Sequence, residues 1–261
     1  GNNSKLYLER LKTNFSNFKI TFIDVGNLFS NGYEVRGISI AAYYRLLIPQ
    51  FIPQYDKILY SDVDVIFKEG LFDVYNSVIF DGEYVAGVKA VFLEDNEHKY
   101  IKNINCVPFE YINSGFLVFN SKLINKDQII GEFKTHIGKK YLYQDQDIVN
   151  IVCKNKIKFL PPRYTFAQGA YKHFSSNSVS INSLFSNKEL IEASEFGIVH
   201  YNGPKPWSSF CYRYDLWWLY YKKSIFFEKK FSIDVEDEIL KKNNFSFWSD
   251  LKHKTKKFLL K

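Results

Sequence analysis

The chain has 261 residues, of which 46% are hydrophobic and 24% are charged, and its formal net charge is +7. That is enough for a sizeable core, in one large domain or in one domain with a small appendage, and no apolar run approaches the roughly 18 residues of a membrane-spanning helix. The three cysteines, Cys106, Cys153 and Cys211, fit neither a disulfide framework nor a zinc pattern, so a reducing compartment is the simpler interpretation.

The first half of the chain alternates apolar runs with segments of helical spacing. Residues 4–17 predict a helix, and residues 38–52 predict a second one that Pro49 ends or kinks. Residues 71–76 predict a short helix or turn. Strands are predicted at three further stretches, of which the first reads as buried: residues 18–25, 57–67 and 83–90.

The second half continues the alternation. A strand over residues 110–120 is expected to be broken by Asn113-Ser114-Gly115, and a short strand is expected to end at the double proline within residues 157–166. Residues 196–207 read as a strand followed by a loop. The remaining segments predict helices, the last of them very aromatic: residues 126–140, 145–155 and 208–230.

The predicted strands are continuous apolar runs rather than alternations of apolar and polar residues. This pattern is typical of an α/β protein with a mixed, mostly parallel sheet and helices on both faces. In such sheets a ligand lies in the crevice beyond the carboxyl ends of the strands. The polar residues that follow apolar runs are therefore the candidates for a functional site.

Asp62 and Asp64 interrupt an apolar run and stand two residues apart. In an extended segment both side chains lie on one side, where two partly desolvated carboxylates repel each other. A hard divalent cation such as Mg²⁺ or Mn²⁺ relieves that repulsion, particularly when it also bridges phosphates. The alternative is a surface turn whose aspartates face water, and for an isolated Asp-x-Asp this is the commoner case.

A second candidate site lies at residues 199–207, "VHYNGPKPW". His200 ends an apolar run, Gly203 permits close approach of the backbone to a ligand, and Lys205 carries a point charge suited to phosphate. The alternative is a structured Gly-Pro turn with a surface lysine and a structural histidine.

Two further polar groups interrupt apolar segments. Asp145, Gln146 and Asp147 open a predicted helix, where acidic side chains also serve as simple N-terminal caps. Asn113, within the predicted strand 110–120, belongs either to a bulge or to a polar contact at the floor of a pocket.

Taken in chain order, these motifs cover about four-fifths of the chain, and the chain resembles glycosyltransferase family 8. Members of that family have the GT-A fold and use nucleotide-sugar donors, and the likeness is to bacterial retaining hexosyltransferases of lipooligosaccharide and lipopolysaccharide synthesis. The matching landmarks are "FIDV", "RGISIAAYYRL", "DKILYSDVDVIF", "INSGFLVFN", "YQDQDIVN" and "HYNGPKPW".

The resemblance implies a role for each matched residue. Asp62, Asp64 and His200 match the ligands of a manganese (or magnesium) ion held on the diphosphate of a UDP-sugar. Asp145 would hydrogen-bond sugar hydroxyls, and Gln146 would lie near the reacting carbon. The remaining matches line the diphosphate and the donor hexose, which is galactose or glucose: Arg45, Asn113, Gly203 and Lys205.

The same resemblance also brings out departures from the family pattern. The chain starts after the family's first strand and helix, so the wall that contacts uracil and ribose is expected to be absent from residues 1–261. Gly37 stands where a similar galactosyltransferase has a histidine in its acceptor site, and a lactose-type acceptor is therefore not carried over.

The end of the chain is basic, with five lysines between Leu251 and Lys261. The sequence predicts a GT-A catalytic domain over residues 1–230 and a polar appendage over 231–261. The appendage is either a solvated terminus or, through residues 248–261, an attachment to an anionic membrane surface. No motif that reads nucleic acid is present, so no such partner is expected.

The expected function is therefore transfer of a hexose from UDP to a saccharide acceptor in bacterial surface-glycan synthesis. The expected location is the cytoplasm, including the inner face of the cytoplasmic membrane. Two alternatives remain open. One is a nucleotide-sugar-binding GT-A fold that is inactive or only a fragment, and the other is an adaptor that acts through the C-terminal lysines.

Overall fold

The computed structural model describes residues 2–15, 17–30, 32–92, 94–176 and 179–242. The chain divides into two compact units, Gly1–His200 and Tyr201–Lys261. In the part of the chain so described, no helix combines the length and the apolar character that crossing a bilayer requires. The predicted membrane attachment at residues 248–261 lies outside the described residues, and the boundary predicted at residue 230 stays a prediction.

The helices and strands alternate along the chain, as the sequence predicts. The strands are β1 (Ile58–Ser61), β2 (Val65–Ile66), β3 (Val85–Lys89), β4 (Ile112–Phe119), β5 (Ile157–Leu160), β6 (Phe166–Ala167) and β7 (Val199–His200). The α-helices are α1 (Asn2–Asn14), α2 (Ile48–Phe51), α3 (Leu71–Ser77), α4 (Asp95–Asn103), α5 (Ser121–Lys126), α6 (Ile129–His136), α7 (Gln144–Val152), α8 (Gln168–Ser175), α9 (Asn187–Phe196), α10 (Tyr214–Lys223) and α11 (Lys229–Lys242). Shorter 3₁₀ helices occupy Ile40–Leu47, Pro108–Glu110, Pro162–Tyr164 and Val179–Ser183.

The central sheet has the strand order β1-β4-β3-β5. Strand β4 pairs antiparallel with β1 and β3, whereas β3 pairs parallel with β5. The α/β class with a mixed sheet is confirmed, but "mostly parallel" is wrong for the described strands. Unbroken apolar runs report burial on both faces of a sheet, which an antiparallel strand covered on both sides shares with a parallel one.

Strand β4, in the interior of the central sheet, is covered by side chains on both faces. Leu117 and Phe119 of β4 lie in a core that also holds residues of the Ile40–Leu47 helix and of α5, α6 and α7. On the opposite face the ring of Phe116 lies against the rings of Phe67 and Tyr164. All three β4 side chains are fully buried, so this strand holds the polar residues at its start in a fixed place.

A second, smaller sheet has the order β2-β7-β6, with β7 antiparallel to β2 and parallel to β6. Its register places Val65 opposite His200 and Ile66 opposite Val199. This pairing brings the end of β7 next to the residues that connect β1 to β2.

Residues 18–25 are wrong as a predicted buried strand. They are irregular, and most are exposed, including Phe22 and Ile23. A strand needs backbone hydrogen bonds from a neighbour as well as apolar side chains, and no described strand pairs with this segment.

The other segments differ from the predictions in smaller ways. Residues 38–52 are helical, but as a 3₁₀ helix that leads into α2, and Pro49 stands in the first turn of α2 rather than ending the helix. Strand β4 runs unbroken through Asn113-Ser114-Gly115; the irregularity lies in its partner, where the register shifts between Gly87 and Lys89.

The second unit, taken by itself, contains α10 and α11. The predicted aromatic helix over 208–230 is confirmed only for Tyr214–Lys223. Its Trp218 packs with Val235 and Ile239 of α11, and the indole nitrogen of Trp218 donates a hydrogen bond to the Pro206 carbonyl at 3.1 Å.

Candidate active site

The two aspartates leave the sheet where β1 ends. Strand β1 stops at Ser61, and the backbone N–H of Asp62 still donates to the Gly115 carbonyl of β4 at 2.8 Å. Val63, between the aspartates, is fully exposed. Because neighbours in an extended segment point to opposite sides, Asp62 and Asp64 share the inner side, as the sequence predicts.

The pairing of β2 with β7 brings His200 to both carboxylates. Its Nε2 lies 3.4 Å from Asp64 Oδ1 and 3.7 Å from Asp62 Oδ2. One ligand atom from each of the three residues falls within 4.8 Å of the others. The His200 side chain is buried, and its Nδ1 has no hydrogen-bond partner among the described residues.

Gly115 of β4 makes room for the imidazole. A Cβ built on Gly115 would stand 2.1 Å from Cε1 of His200 and 2.9 Å from both ring nitrogens. Only a residue without a side chain leaves that space. The glycine of Asn113-Ser114-Gly115 therefore fixes where the imidazole lies relative to the two carboxylates.

Arg45, from the 3₁₀ helix Ile40–Leu47, ties the aspartate cluster to α7. Its Nη2 lies 2.8 Å from Asp62 Oδ1, and its Nη1 donates to the Ser114 carbonyl at 2.7 Å and to Ser114 Oγ at 3.1 Å. Its Nε donates to the Ala42 carbonyl and lies 3.1 Å from Asp145 Oδ2 as an ion pair. The guanidinium thus holds the polar ends of three separate elements together.

The two oxygens of Asp62 have separate surroundings. Oδ1 is 2.8 Å from Arg45 and accepts a hydrogen bond from the Tyr60 hydroxyl at 2.6 Å, whereas Oδ2 faces His200. The Arg45 guanidinium also stacks over the Tyr60 ring, 4.7 Å from its centroid. One oxygen therefore orients the carboxylate while the other is turned toward the imidazole.

Gln146 and Asn113 occupy the adjoining part of the site. Gln146 Oε1 accepts hydrogen bonds from Asn113 Nδ2 and from the Ser114 backbone N–H, each at 3.1 Å. Asn113 Oδ1 in turn accepts from the Gly115 backbone N–H at 2.9 Å. The start of β4 and the first turn of α7 are therefore joined by Asn113 and Gln146, the residues that the family resemblance predicts around a transferred sugar.

The first unit thus brings together seven of the nine site residues predicted from the sequence: Arg45, Asp62, Asp64, Asn113, Asp145, Gln146 and His200. Gly203 and Lys205 belong to the second unit, where Gly203 is exposed and the ammonium of Lys205 donates to the Tyr201 carbonyl. Their contact with a diphosphate stays a prediction.

Asp147, the third polar residue of the motif, lies beneath the site. It is fully buried and accepts hydrogen bonds at 2.5 Å from the hydroxyls of Tyr100 and Tyr111, and at 2.8 Å from the Tyr143 backbone N–H. The last of these joins Asp147 to the residue that precedes α7, and none of the three polar residues is the N-cap of that helix, which is Tyr143. Burial raises the pKa of the Asp147 carboxyl, and the two tyrosine hydroxyls oppose the shift.

Sequence reasoning missed one tyrosine in this site and two that lie behind it. Tyr60 borders the aspartates but follows the apolar run Ile58-Leu59, which reads as core. Tyr100 and Tyr111 hold Asp147, and no motif singled them out in the sequence. The one signal was a tyrosine two residues before a polar site residue, as Tyr60 is before Asp62 and Tyr111 is before Asn113. That signal is weak in a chain with 19 tyrosines.

Asp145 makes the unfolding free energy depend on pH. Burial raises the pKa of its carboxyl from 3.8 to about 6, against the opposing charge of Arg45. The native state therefore holds this proton more tightly than the unfolded chain does. The stability that the group contributes is complete below pH 3.8 and is lost as the pH rises through about 6.

Asp145→Asn is expected to remove that dependence. Urea denaturation of the wild type and the variant in EDTA, between about pH 4 and about pH 7, measures the difference in their unfolding free energies. The difference should shift in favour of the variant as pH rises, by on the order of 2 kcal/mol. A difference that stays constant over this range would show that Asp145 ionises normally.

The chain is similar in sequence to a known protein family and to several proteins of known name. A family model described as "Glycosyl transferase family 8" matches residues 5–211. The chain is 27% identical over 177 residues to the lipopolysaccharide 1,2-glucosyltransferase of Escherichia coli, covering 64% of this chain and 50% of the relative. It is 26% identical over 273 aligned positions to the lipopolysaccharide glucosyltransferase WaaO of Escherichia coli strain K12, covering 100% of this chain and 74% of the relative.

Among solved structures, the galactosyltransferase LgtC in complex with donor and acceptor sugar analogs superposes with a TM-score of 0.58 at 27% identity. That match covers 72% of this chain and 68% of LgtC, and it confirms the GT-A fold expected from the sequence. The chain spans about half the length of several curated relatives that it matches. Since the family model covers well over half of the sequence, the chain belongs to glycosyltransferase family 8.

Proposed function

We propose that the chain is the catalytic part of a transferase that moves a hexose, galactose or glucose, from UDP to a saccharide acceptor in lipopolysaccharide synthesis. The observation that carries the proposal is the cluster of Asp62, Asp64 and His200, joined through Arg45 to Asp145. Family membership and the names of the lipopolysaccharide glucosyl- and galactosyltransferases among its relatives support the reaction class.

The three residues fit a hard divalent cation, Mn²⁺ or Mg²⁺. Two carboxylates and one imidazole supply the oxygen-rich set that such ions accept, and the facing atoms, at 3.4 and 3.7 Å, are spaced as neighbouring ligands of one ion. Two carboxylates this close repel each other, and Arg45 pairs with Asp145 as well as with Asp62. When bound, the cation supplies charge that stabilises a departing diphosphate.

The chain's own residues would orient the donor. Asp145, paired with Arg45, would accept hydrogen bonds from sugar hydroxyls, and Asn113 would add an amide next to Gln146. The Arg45 guanidinium adds fixed positive charge next to the metal ligands, where a diphosphate would leave. Each of these groups is held by the fold before the donor binds, so little reorganisation is needed during transfer.

By the family resemblance, Gln146 would lie near the reacting carbon. An amide is neutral and a poor nucleophile, and its Oε1 already accepts two hydrogen bonds. Retention of configuration is therefore assigned to attack of the acceptor hydroxyl on the face that the diphosphate leaves, with the departing phosphate taking the proton. The cytoplasmic location and the attachment to a membrane surface stay predictions from the sequence.

A donor screen tests the proposal. The protein is incubated with Mn²⁺ and UDP-glucose or UDP-galactose, with and without a truncated lipopolysaccharide acceptor, and released UDP is measured. The expected result is UDP release that depends on one of the two donors, increases with acceptor and stops in EDTA. UDP binding without release in every combination would favour a binding protein over an enzyme.

A further inference from the structure

A chain of hydrogen bonds runs from a buried carboxylate to the amide of Gln146. Asp147 Oδ1 accepts from the Tyr111 hydroxyl at 2.5 Å, and the same hydroxyl oxygen accepts from Gln146 Nε2 at 3.4 Å. Asp147 and Tyr111 are both fully buried. The hydrogen bonds described for them do not involve the candidate metal ligands. They lie behind Gln146, on the side away from Asn113.

The direction of this chain is set by chemistry. Asp147 accepts the hydrogen bond of the Tyr111 hydroxyl, so the single proton of Tyr111 is committed to that carboxyl group. The Tyr111 oxygen is then left as an acceptor. An acceptor at that place selects the nitrogen end of the Gln146 amide and rejects the oxygen end.

The other end of the amide obeys the same rule. Gln146 Oε1 faces the backbone N–H of Ser114, which can only donate, at 3.1 Å. Asn113 Nδ2 donates to the same oxygen. A flipped amide would set a donor against the Ser114 donor and an acceptor against the Tyr111 oxygen, losing hydrogen bonds at both ends.

We propose that Tyr111 and Asp147 are positioning residues that fix the orientation of the Gln146 amide. The inference rests on the proposed function, in which Gln146 lies beside the reacting carbon. Asp147 commits the tyrosine proton, the tyrosine oxygen selects the amide nitrogen, and the amide dipole then points one way in the site. Neither residue touches the donor.

Two tyrosines on one carboxylate provide a matched test. Tyr111→Phe removes a hydroxyl that bonds both Asp147 and Gln146. Tyr100→Phe removes the hydroxyl that donates to the other oxygen of Asp147. That hydroxyl also accepts from the Leu142 backbone N–H, and it has no described hydrogen bond to Gln146. Each variant costs Asp147 one hydrogen bond of 2.5 Å, so a merely structural role predicts similar effects on activity.

The expected result is a fall of about 10-fold in kcat for Tyr111→Phe with the donor KM unchanged, because a misoriented group slows chemistry more than binding. Tyr100→Phe should keep kcat within about 2-fold, while both variants lose stability to urea. Equal kcat values for the two variants, or a loss confined to KM, would overturn the inference.

A second readout does not depend on turnover. The side-chain amide of Gln146, assigned in a ¹H–¹⁵N spectrum by its loss in Gln146→Glu, should shift in Tyr111→Phe and stay in place in Tyr100→Phe. An unmoved Gln146 resonance in Tyr111→Phe would refute the positioning role even in an active enzyme. If the wild type released no UDP, the proposed function would fail, and this spectrum would still decide the inference.

Discussion

Asp64→Asn is expected to lower hexose transfer by about 100- to 1,000-fold, the loss typical when one group that stabilises transition-state charge is removed. The Asp64 oxygen lies 3.4 Å from His200 Nε2, so this carboxylate and the imidazole face the same point. An asparagine keeps the size of the side chain but removes its charge. The cation would then be held by one carboxylate, and that one already pairs with Arg45.

Initial rates of UDP release, measured over a series of Mn²⁺ concentrations, test this expectation. Asp56→Asn is the matched control because Asp56 stands just before β1, is largely exposed and lies 3.6 Å from the ammonium of Lys122. It should behave as the wild type does. An Asp64→Asn variant with the wild-type rate and the wild-type dependence on Mn²⁺ would remove Asp64 from the metal site.

Gly115→Ala is expected to damage the same site from behind. The added methyl would stand 2.1 Å from Cε1 of His200, so the buried ring must shift from its position between Gly115 and the aspartates. Overpacking of this kind costs about 1–3 kcal/mol of stability. We expect Mn²⁺ affinity to fall by at least about 10-fold, as when a group that orients a metal ligand is lost.

Gly131→Ala provides the control for that substitution. Gly131 is exposed in α6, and a Cβ there would meet nothing within 4 Å. Alanine should leave Mn²⁺ affinity unchanged and stabilise the helix by about 0.5–1 kcal/mol. Urea denaturation and Mn²⁺ titration of both variants separate the two effects. Wild-type Mn²⁺ affinity in Gly115→Ala would mean that the position of the His200 ring does not control the cation.

Apolar runs predicted the order of most helices and strands along the chain, because apolar runs report which segments are buried. The strand at residues 57–67 is real but is interrupted at Asp62–Asp64, where the structure has β1 and β2. Strand direction was not predictable from the same signal. β4 is buried on both faces as a parallel strand would be, yet it pairs antiparallel with both neighbours.

Residues 18–25 show that an apolar pattern alone does not make a strand. Their composition is that of a buried strand, but Phe22 and Ile23 are exposed and no described strand lies beside them. A strand is completed by its neighbour's backbone, which the segment's own sequence does not contain.

Much of the candidate site was predictable, because its motifs combine unusual residues with a fixed order along the chain. What was not predictable is which atoms meet. Arg45 reaches Ser114 across 69 positions, and Tyr100 reaches Asp147 across 47. Such contacts depend on how the helices pack on the sheet. A tyrosine that hydrogen-bonds a buried carboxylate also looks the same in the sequence as a tyrosine that only fills the core.

The most direct test of the metal site asks whether His200 binds the same ion as the aspartates. Pulsed electron paramagnetic resonance of the protein with Mn²⁺ and UDP detects nitrogen bound directly to manganese. We expect a ¹⁴N signal in the wild type that disappears in His200→Gln, together with weaker Mn²⁺ binding in Asp64→Asn. A wild-type Mn²⁺ complex without bound nitrogen, or a nitrogen signal that survives in His200→Gln, would contradict a single site built from Asp62, Asp64 and His200.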